Sequence, residues 1–195
     1  MLFYLVIGLW LFQIFFGSRD GGSFLKELMS LPVPFVNAYL ISHMALFVLF
    51  PFCLLVRMGV IKRVRPQINS AVFLAFTFAL APAMLINSYL GTGMLRFSPL
   101  LFLGGVVCNC FAVVANGGKM PVVKEVLERS IGKEIDLKLS DEEIFRDCIH
   151  SLTREPPKLA ILVDRFRSKL VIRRGVFSIG DVLIGLGMLI AFWPR

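Results

Sequence analysis

The sequence changes character at Ala115-Asn116-Gly117-Gly118-Lys119-Met120-Pro121-Val122. Ahead of these eight residues nearly everything is apolar enough for a lipid interior. Behind them come the charged residues 123–175, and then one last apolar run. Few architectures accommodate such a division. In hydrocarbon an apolar run satisfies its backbone polar groups internally, as a helix of about 20 residues, while the polar segment has to stay in water. Composition agrees: 57% of the 195 residues are hydrophobic and 17% are charged, against roughly a quarter charged in soluble domains. The expected fold class is all-α, a polytopic membrane bundle of about five spans with a small helical segment before the last. The net charge of +8 then reports which loops face the cytoplasm, and no nucleic-acid partner is expected.

In chain order, Met1 to Phe16 is apolar with no Lys or Arg before Arg19 and no small-residue cleavage pattern after it. It reads as an uncleaved first span rather than a secretory signal. Phe35 to Val56 is the second span and carries Asn37, Ser42 and His43. Arg57, Lys62, Arg63 and Arg65 follow with no acid among them. Ala71 to Leu90 is the third span, with Pro82 inside it, which predicts a kink. Leu100 to Val114 is the core of the fourth, where Asn109 should face another helix. Residues 1–118 thus form a four-span region, 119–175 an amphipathic or soluble helical segment, and 176–195 the final transmembrane helix. Within the middle segment Pro121 is placed to open a helix over Val122 to Ile131, stopped by Gly132. Ser140-Asp141-Glu142-Glu143 has the pattern of a capping box for a helix reaching Leu152. Leu159 to Val163 is apolar but too short to span, which suits packing on the bundle or the membrane interface.

Charge asymmetry gives an orientation. With five spans, one side of the membrane receives all but four of the 21 Lys and Arg residues; Arg19, Lys26, Arg96 and Arg195 fall on the other. By the positive-inside rule the N-terminus and the 119–175 segment are cytoplasmic and the C-terminus is outside, in a bacterial inner membrane.

Several residues are candidates for function. Asp181 is a carboxylate inside the last span, where it has to be paired, protonated or in contact with water. Arg173, Arg174 or Ser178 could partner it and set the depth of the helix. Asp164 lies upstream; two converging carboxylates can share a proton and polarise a water, whereas the plain alternative is a solvated Asp164-Arg165 pair on a helix. Asn116, Gly117, Gly118 and Lys119 form either an anion-binding nest or a glycine cap followed by a proline-started helix. Arg165, Arg167, Lys169, Arg173 and Arg174 make a basic stretch suited to anionic headgroups. The four cysteines include no C-x-x-C pair, so no metal, cofactor or disulfide framework is expected.

Two resemblances follow from these motifs. The short apolar opening with Gly21-Gly22-Ser23-Phe24-Leu25, the Ala115–Val122 stretch, and Val176-Phe177-Ser178-Ile179-Gly180-Asp181-Val182-Leu183-Ile184 resemble a family of small bacterial membrane proteins defined only as a domain of unknown function. That family brings no activity with it. Locally, Val163-Asp164-Arg165-Phe166 and Phe177-Ser178-Ile179-Gly180-Asp181 are similar to the two aspartate motifs of lipoprotein signal peptidases. That likeness implies that Asp164 and Asp181 would hold the attacking water. The chain departs from those enzymes at Gly180, where they have Ala, and at Ser178, near where they have Asn. Its expected orientation also puts Asp164 on the opposite side of the membrane. Three functions are therefore in view. One is a non-enzymatic membrane component that docks a partner through 122–155 or lies on anionic lipid. The second is an intramembrane aspartyl hydrolase, and the third a small transporter using His43, Asn87, Asn109 and Asp181.

Overall fold

In the computed structural model, the residues described are 26, 29–42, 44, 65–91, 93–136, 140–145, 149–153, 156–168 and 175–191. The element order is helix α1 (Val33–Ser42), helix α2 (Pro66–Leu90), a 3₁₀ turn (Gly93–Arg96) and helix α3 (Phe97–Ala115). Strand β1 (Met120–Val122), helix α4 (Lys124–Ile131), helix α5 (Asp141–Phe145) and strand β2 (His150–Leu152) follow. Strands β3 (Phe166–Ser168) and β4 (Gly175–Phe177) lead into helix α6 (Ile179–Ala191).

The helices pack around one apolar core, in which Tyr39 of α1, Leu80, Ala83, Met84 and Ile86 of α2, Phe102 and Val106 of α3, and Ile184 and Met188 of α6 are all buried. α2 and the run Gly93–Ala115 are long and apolar enough to cross a membrane, judged by length and composition. Only 22% and 39% of the residues in their most apolar windows are buried inside the protein. Their remaining faces are apolar as well: Leu74, Phe78, Leu85, Tyr89, Phe97, Leu100 and Phe111 are exposed.

α3 and α6 run antiparallel, because Ser98 at the start of α3 meets the far part of α6 and Asn109 near its end meets the beginning of α6. Side chains are sparse along this seam. A Cβ on Gly105 would lie 2.4 Å from the Gly180 carbonyl oxygen, and one on Gly187 would lie 2.8 Å from the Ser98 carbonyl oxygen. Ser98 donates its hydroxyl to the Gly187 carbonyl at 2.9 Å. Small residues of this kind let two helix backbones approach closely, which lipid-embedded helices need because lipid offers them no hydrophobic drive to associate. α1 is tied to α2 by the Ser42 hydroxyl, which donates to the Ala79 carbonyl.

The polar half is a small module seated at the end of the bundle where α3 stops. β1 lies between β2, its parallel partner in the register Met120↔His150 to Val122↔Leu152, and a one-residue bridge to Asp164. β3 and β4 form an antiparallel strand pair in which Phe166 and Phe177 stack at 5.7 Å. A second apolar cluster joins module to bundle: Ala112, Val113, Met120 and Ile149, with Phe73 and Leu162 packed on it.

Several expectations are corrected here. Pro121 does not start a helix. It lies in the buried strand β1, its missing N–H faces the sparsely bonded Asp164 side, and the helix begins at Lys124. The helix expected from Ser140 to Leu152 is described as far as Phe145, and His150–Leu152 is a strand instead. Pairing with β1 supplies backbone partners that a helix would otherwise have provided. The last apolar run does not begin as a helix at Val176, because Gly175–Phe177 pairs with β3. α6 has 13 residues, a rise of about 20 Å, short of a ~30 Å hydrocarbon core. Among the five expected spans, the first lies outside the described residues and the second is described over Val33–Ser42 and at Met44. The third begins earlier than expected, at Pro66, which occupies the first helical turn, and it runs on through Pro82.

Adjacent glycines on α3 separate close packing from helix propensity. A Cβ at Gly105 collides with α6, whereas one at Gly104 meets nothing within 4 Å. Gly105→Ala is expected to destabilise the folded bundle by about 1–3 kcal/mol through overpacking. Gly104→Ala should be neutral or stabilising by up to about 1 kcal/mol. Reversible unfolding in mixed detergent micelles measures both.

Candidate functional site

The polar residues that the sequence singles out gather in three places. The first is where β4 gives way to α6. Ser178 is fully buried and caps the helix: its hydroxyl accepts the Asp181 N–H at 3.1 Å, and the Asp181 carboxylate accepts the Ser178 N–H at 3.0 Å. This is a reciprocal capping box with Asp in the acidic position. Asn109 of α3 completes it. Its amide nitrogen donates to Asp181 Oδ1 at 3.1 Å and its amide oxygen lies 2.8 Å from the Ser178 hydroxyl. That hydroxyl also lies 3.1 Å from Asp181 Oδ2, so its single proton serves one of the two oxygens at a time. Gly180 makes the ring possible, since a Cβ there would lie 2.0 Å from the Asn109 amide oxygen. The partner expected in Ser178 is present. Arg173 and Arg174, the expected cations, lie outside the described residues.

The second place is the sheet of the module. Asp164 is buried, with 4% of its surface exposed, and its carboxylate lies 3.5 Å from His150 Nε2. Its backbone is held by β1: the Asp164 N–H donates to the Pro121 carbonyl at 3.1 Å, and the Asp164 carbonyl accepts from Val123 N–H at 3.0 Å. It is therefore not part of a solvated helical pair with Arg165; Arg165 is exposed while Asp164 is not. The His150 ring in turn lies 5.7 Å from that of Phe145. Asp164 and Asp181 are thus held by different partners, a histidine in one case and neutral amide and hydroxyl donors in the other.

The third place is the Asn116–Lys119 turn. Gly117 and Gly118 both have positive φ, 69° and 91°, and their N–H groups are donated inward, to the carbonyls of Val114 at 3.3 Å and Val113 at 2.8 Å. They close the end of α3 as a glycine cap, so the N–H groups that an anion nest would need are already engaged. Gly118 has a further duty: a Cβ would fall 1.9 Å from the Pro66 carbonyl oxygen, so the start of α2 rests against this turn. Lys119 pairs with Asp141 at 3.0 Å, and the other Asp141 oxygen accepts the Leu152 N–H at 3.0 Å. Asn116 clasps the backbone of Lys158, accepting its N–H at 2.9 Å and donating to its carbonyl at 2.9 Å.

Of the basic stretch, Arg165 and Arg167 are exposed, and Lys169, Arg173 and Arg174 lie outside the described residues. So does His43. Among the described residues no three His, Cys, Asp or Glu side chains gather as a metal site requires. Several partnerships escaped the sequence reading, Asn109–Asp181 and Asn116–Lys158 among them. The Ser178-x-x-Asp181 spacing is a capping signature and was legible. The His150–Asp164 and Lys119–Asp141 contacts join residues far apart in the chain, and no local pattern announces them.

A family model described as a family of unknown function, DUF5317, matches residues 32–193, which takes in every described strand and helix from α1 to α6. The chain belongs to this family. No curated protein and no solved structure matches it. An uncharacterised family was expected and a family of unknown function is what matches; the matched region includes all three polar places, while residues 21–25 lie ahead of it.

The capping ring is a structural joint, so its loss should register as stability. Asp181→Ala leaves the Asn109 amide and the Ser178 N–H without their acceptor and should cost about 1–3 kcal/mol. Asp181→Asn keeps an acceptor for one of these donors and should cost less than Asp181→Ala. Unfolding of the purified variants in detergent ranks them.

Proposed function

We propose that this chain is a non-enzymatic, multi-pass protein of a bacterial inner membrane. Its polar module is held at the cytoplasmic end of the bundle, where residues 122–155 meet a protein partner and Arg165 and Arg167 meet anionic headgroups. The observation that carries this reading is the apolar exterior of the helices. Phe78 and Tyr89 of α2 and Phe111 of α3 are 74%, 75% and 58% exposed. Water would penalise such a surface, while acyl chains do not. The polar residues gather beyond the end of α3.

The orientation has support of its own. Gly118 rests on Pro66, so Arg65 lies at the same end as Lys119 and the module. Arg96 lies at the opposite end, between α2 and α3, where it donates to the Gly91 carbonyl. The cationic end faces the cytoplasm by the positive-inside rule, and α6 carries the chain back towards the outer face.

The separate environments of Asp164 and Asp181 favour structural duty over a water-activating dyad. A dyad works by sharing one proton between two carboxyl groups, whereas the oxygens of Asp181 already take the Ser178 and Asn109 donors. The same closed ring argues against Asn109 and Asp181 acting as an ion path.

Two measurements test the reading. The protein should stay with membranes at alkaline pH, and release into the soluble fraction would overturn membrane insertion. A C-terminal reporter active only outside the cytoplasm should be active. A reporter active only inside would reverse the orientation and put the module on the outer face.

A further inference from the structure

The turn Lys158–Leu162 carries an exposed apolar surface that the fold itself does not use. Leu159 is 47% and Ile161 60% exposed, while their neighbours Leu162 and Val163 turn inward. We propose that this turn is an interfacial anchor, with Leu159 and Ile161 inserted among the headgroups and upper acyl chains of anionic lipid beside the last turn of α3. The inference rests on the membrane reading above and adds a specific contact to it.

Height along the bundle is the first argument. Asn116, the residue that ends α3, holds the Lys158 backbone through two hydrogen bonds of 2.9 Å. Leu162 packs on the cluster containing Ala112 and Val113, in the final turn of α3. The turn therefore flanks the helix end instead of projecting from the distal side of the module. Phe111, one residue from that cluster, is also exposed.

Backbone conformation is the second. Leu159 has φ +52°, in the left-handed region where glycine is at ease and a bulky side chain is not. The position combines backbone strain with an apolar side chain that is half outside the protein. A lipid interface gives that side chain a place, as for the apolar face of a monotopic segment.

Charge is the third. Lys158, Arg165 and Arg167 are exposed around the turn. Arg165 donates to the Ala160 carbonyl at 3.4 Å, which keeps its guanidinium at the turn. The acid among residues 156–168, Asp164, is buried against His150. Exposed cations around a small apolar knuckle match an anionic headgroup layer above acyl chains.

The test uses the full chain in vesicles of phosphatidylethanolamine and phosphatidylglycerol, with the native cysteines replaced. An environment-sensitive fluorophore is attached at Phe111→Cys, Ile161→Cys or, as an aqueous control, Glu134→Cys. Nitroxide lipids should quench the label at 111 and at 161, and aqueous iodide should quench it at 134. Iodide quenching at 161 with lipid quenching at 111 would overturn the anchor and leave the membrane reading standing. A label at 161 shielded from both quenchers would mean that protein covers the turn, and would also overturn it. Water contact at 111 would remove the membrane reading and the anchor together. The combined variant K158E/R165E/R167E should lose lipid quenching at 161 while keeping it at 111. Unchanged quenching at 161 would overturn the role of anionic lipid.

Discussion

The antiparallel contact between α3 and α6 is the constraint on which the rest depends. Gly105, Gly180 and Gly187 remove the side chains that would hold the two backbones apart, and Ser98 and Asn109 supply hydrogen bonds across the gap. Between helices in lipid, close packing and such bonds do the work that hydrophobic burial does in water. The capping ring of Asn109, Ser178 and Asp181 adds direction. It fixes where along α3 the last helix begins, and it places an acidic group at the N-terminal turn of α6, where the helix dipole favours it. A carboxylate that looks costly in an apolar run is thus accommodated as the end of a helix and the pin of a seam.

The module depends on that seam, since β4 runs directly into Ser178. Its other anchor is β1, whose three residues are all buried and whose two edges bond β2 and Asp164. Lys119, just ahead of β1, reaches Asp141, which also holds Leu152 at the end of β2. The pair is half-buried, and its main consequence is geometric, since one carboxylate links the helix cap, α5 and β2. Gly118, in contact with Pro66, brings the start of α2 to the same place. The end of α3, the start of α2 and β1 therefore meet at one short stretch of backbone.

Much of the bundle was legible in the residues. The apolar runs over 71–90 and 100–114 lie inside α2 and α3, because helix formation there needs only local hydrogen bonds and continuous apolarity. The glycine pair after α3 was legible as a cap for the same local reason. The strands were not legible. Met120–Val122 and His150–Leu152 are three residues each, too short to show an alternating pattern, and each is a strand only because the other is there. Pro121 actively misled, since a proline after a glycine turn suits the first turn of a helix equally well. The basic run before the last apolar run likewise concealed an antiparallel strand pair, whose first strand is stapled to its second by Phe166 and Phe177.

The sequence by itself determined where the chain is apolar, where α3 ends at its glycine pair, and where along the chain its positive charge accumulates. These follow from short-range chemistry: hydropathy, glycine at positive φ, and the distribution of Lys and Arg. The tertiary structure alone decided that Asp181 joins Asn109 while Asp164 joins His150, that Asn116 clasps Lys158, and that Leu159 and Ile161 are left outside. Those outcomes depend on chain segments tens of residues apart meeting at a set distance, and no window of sequence contains that information.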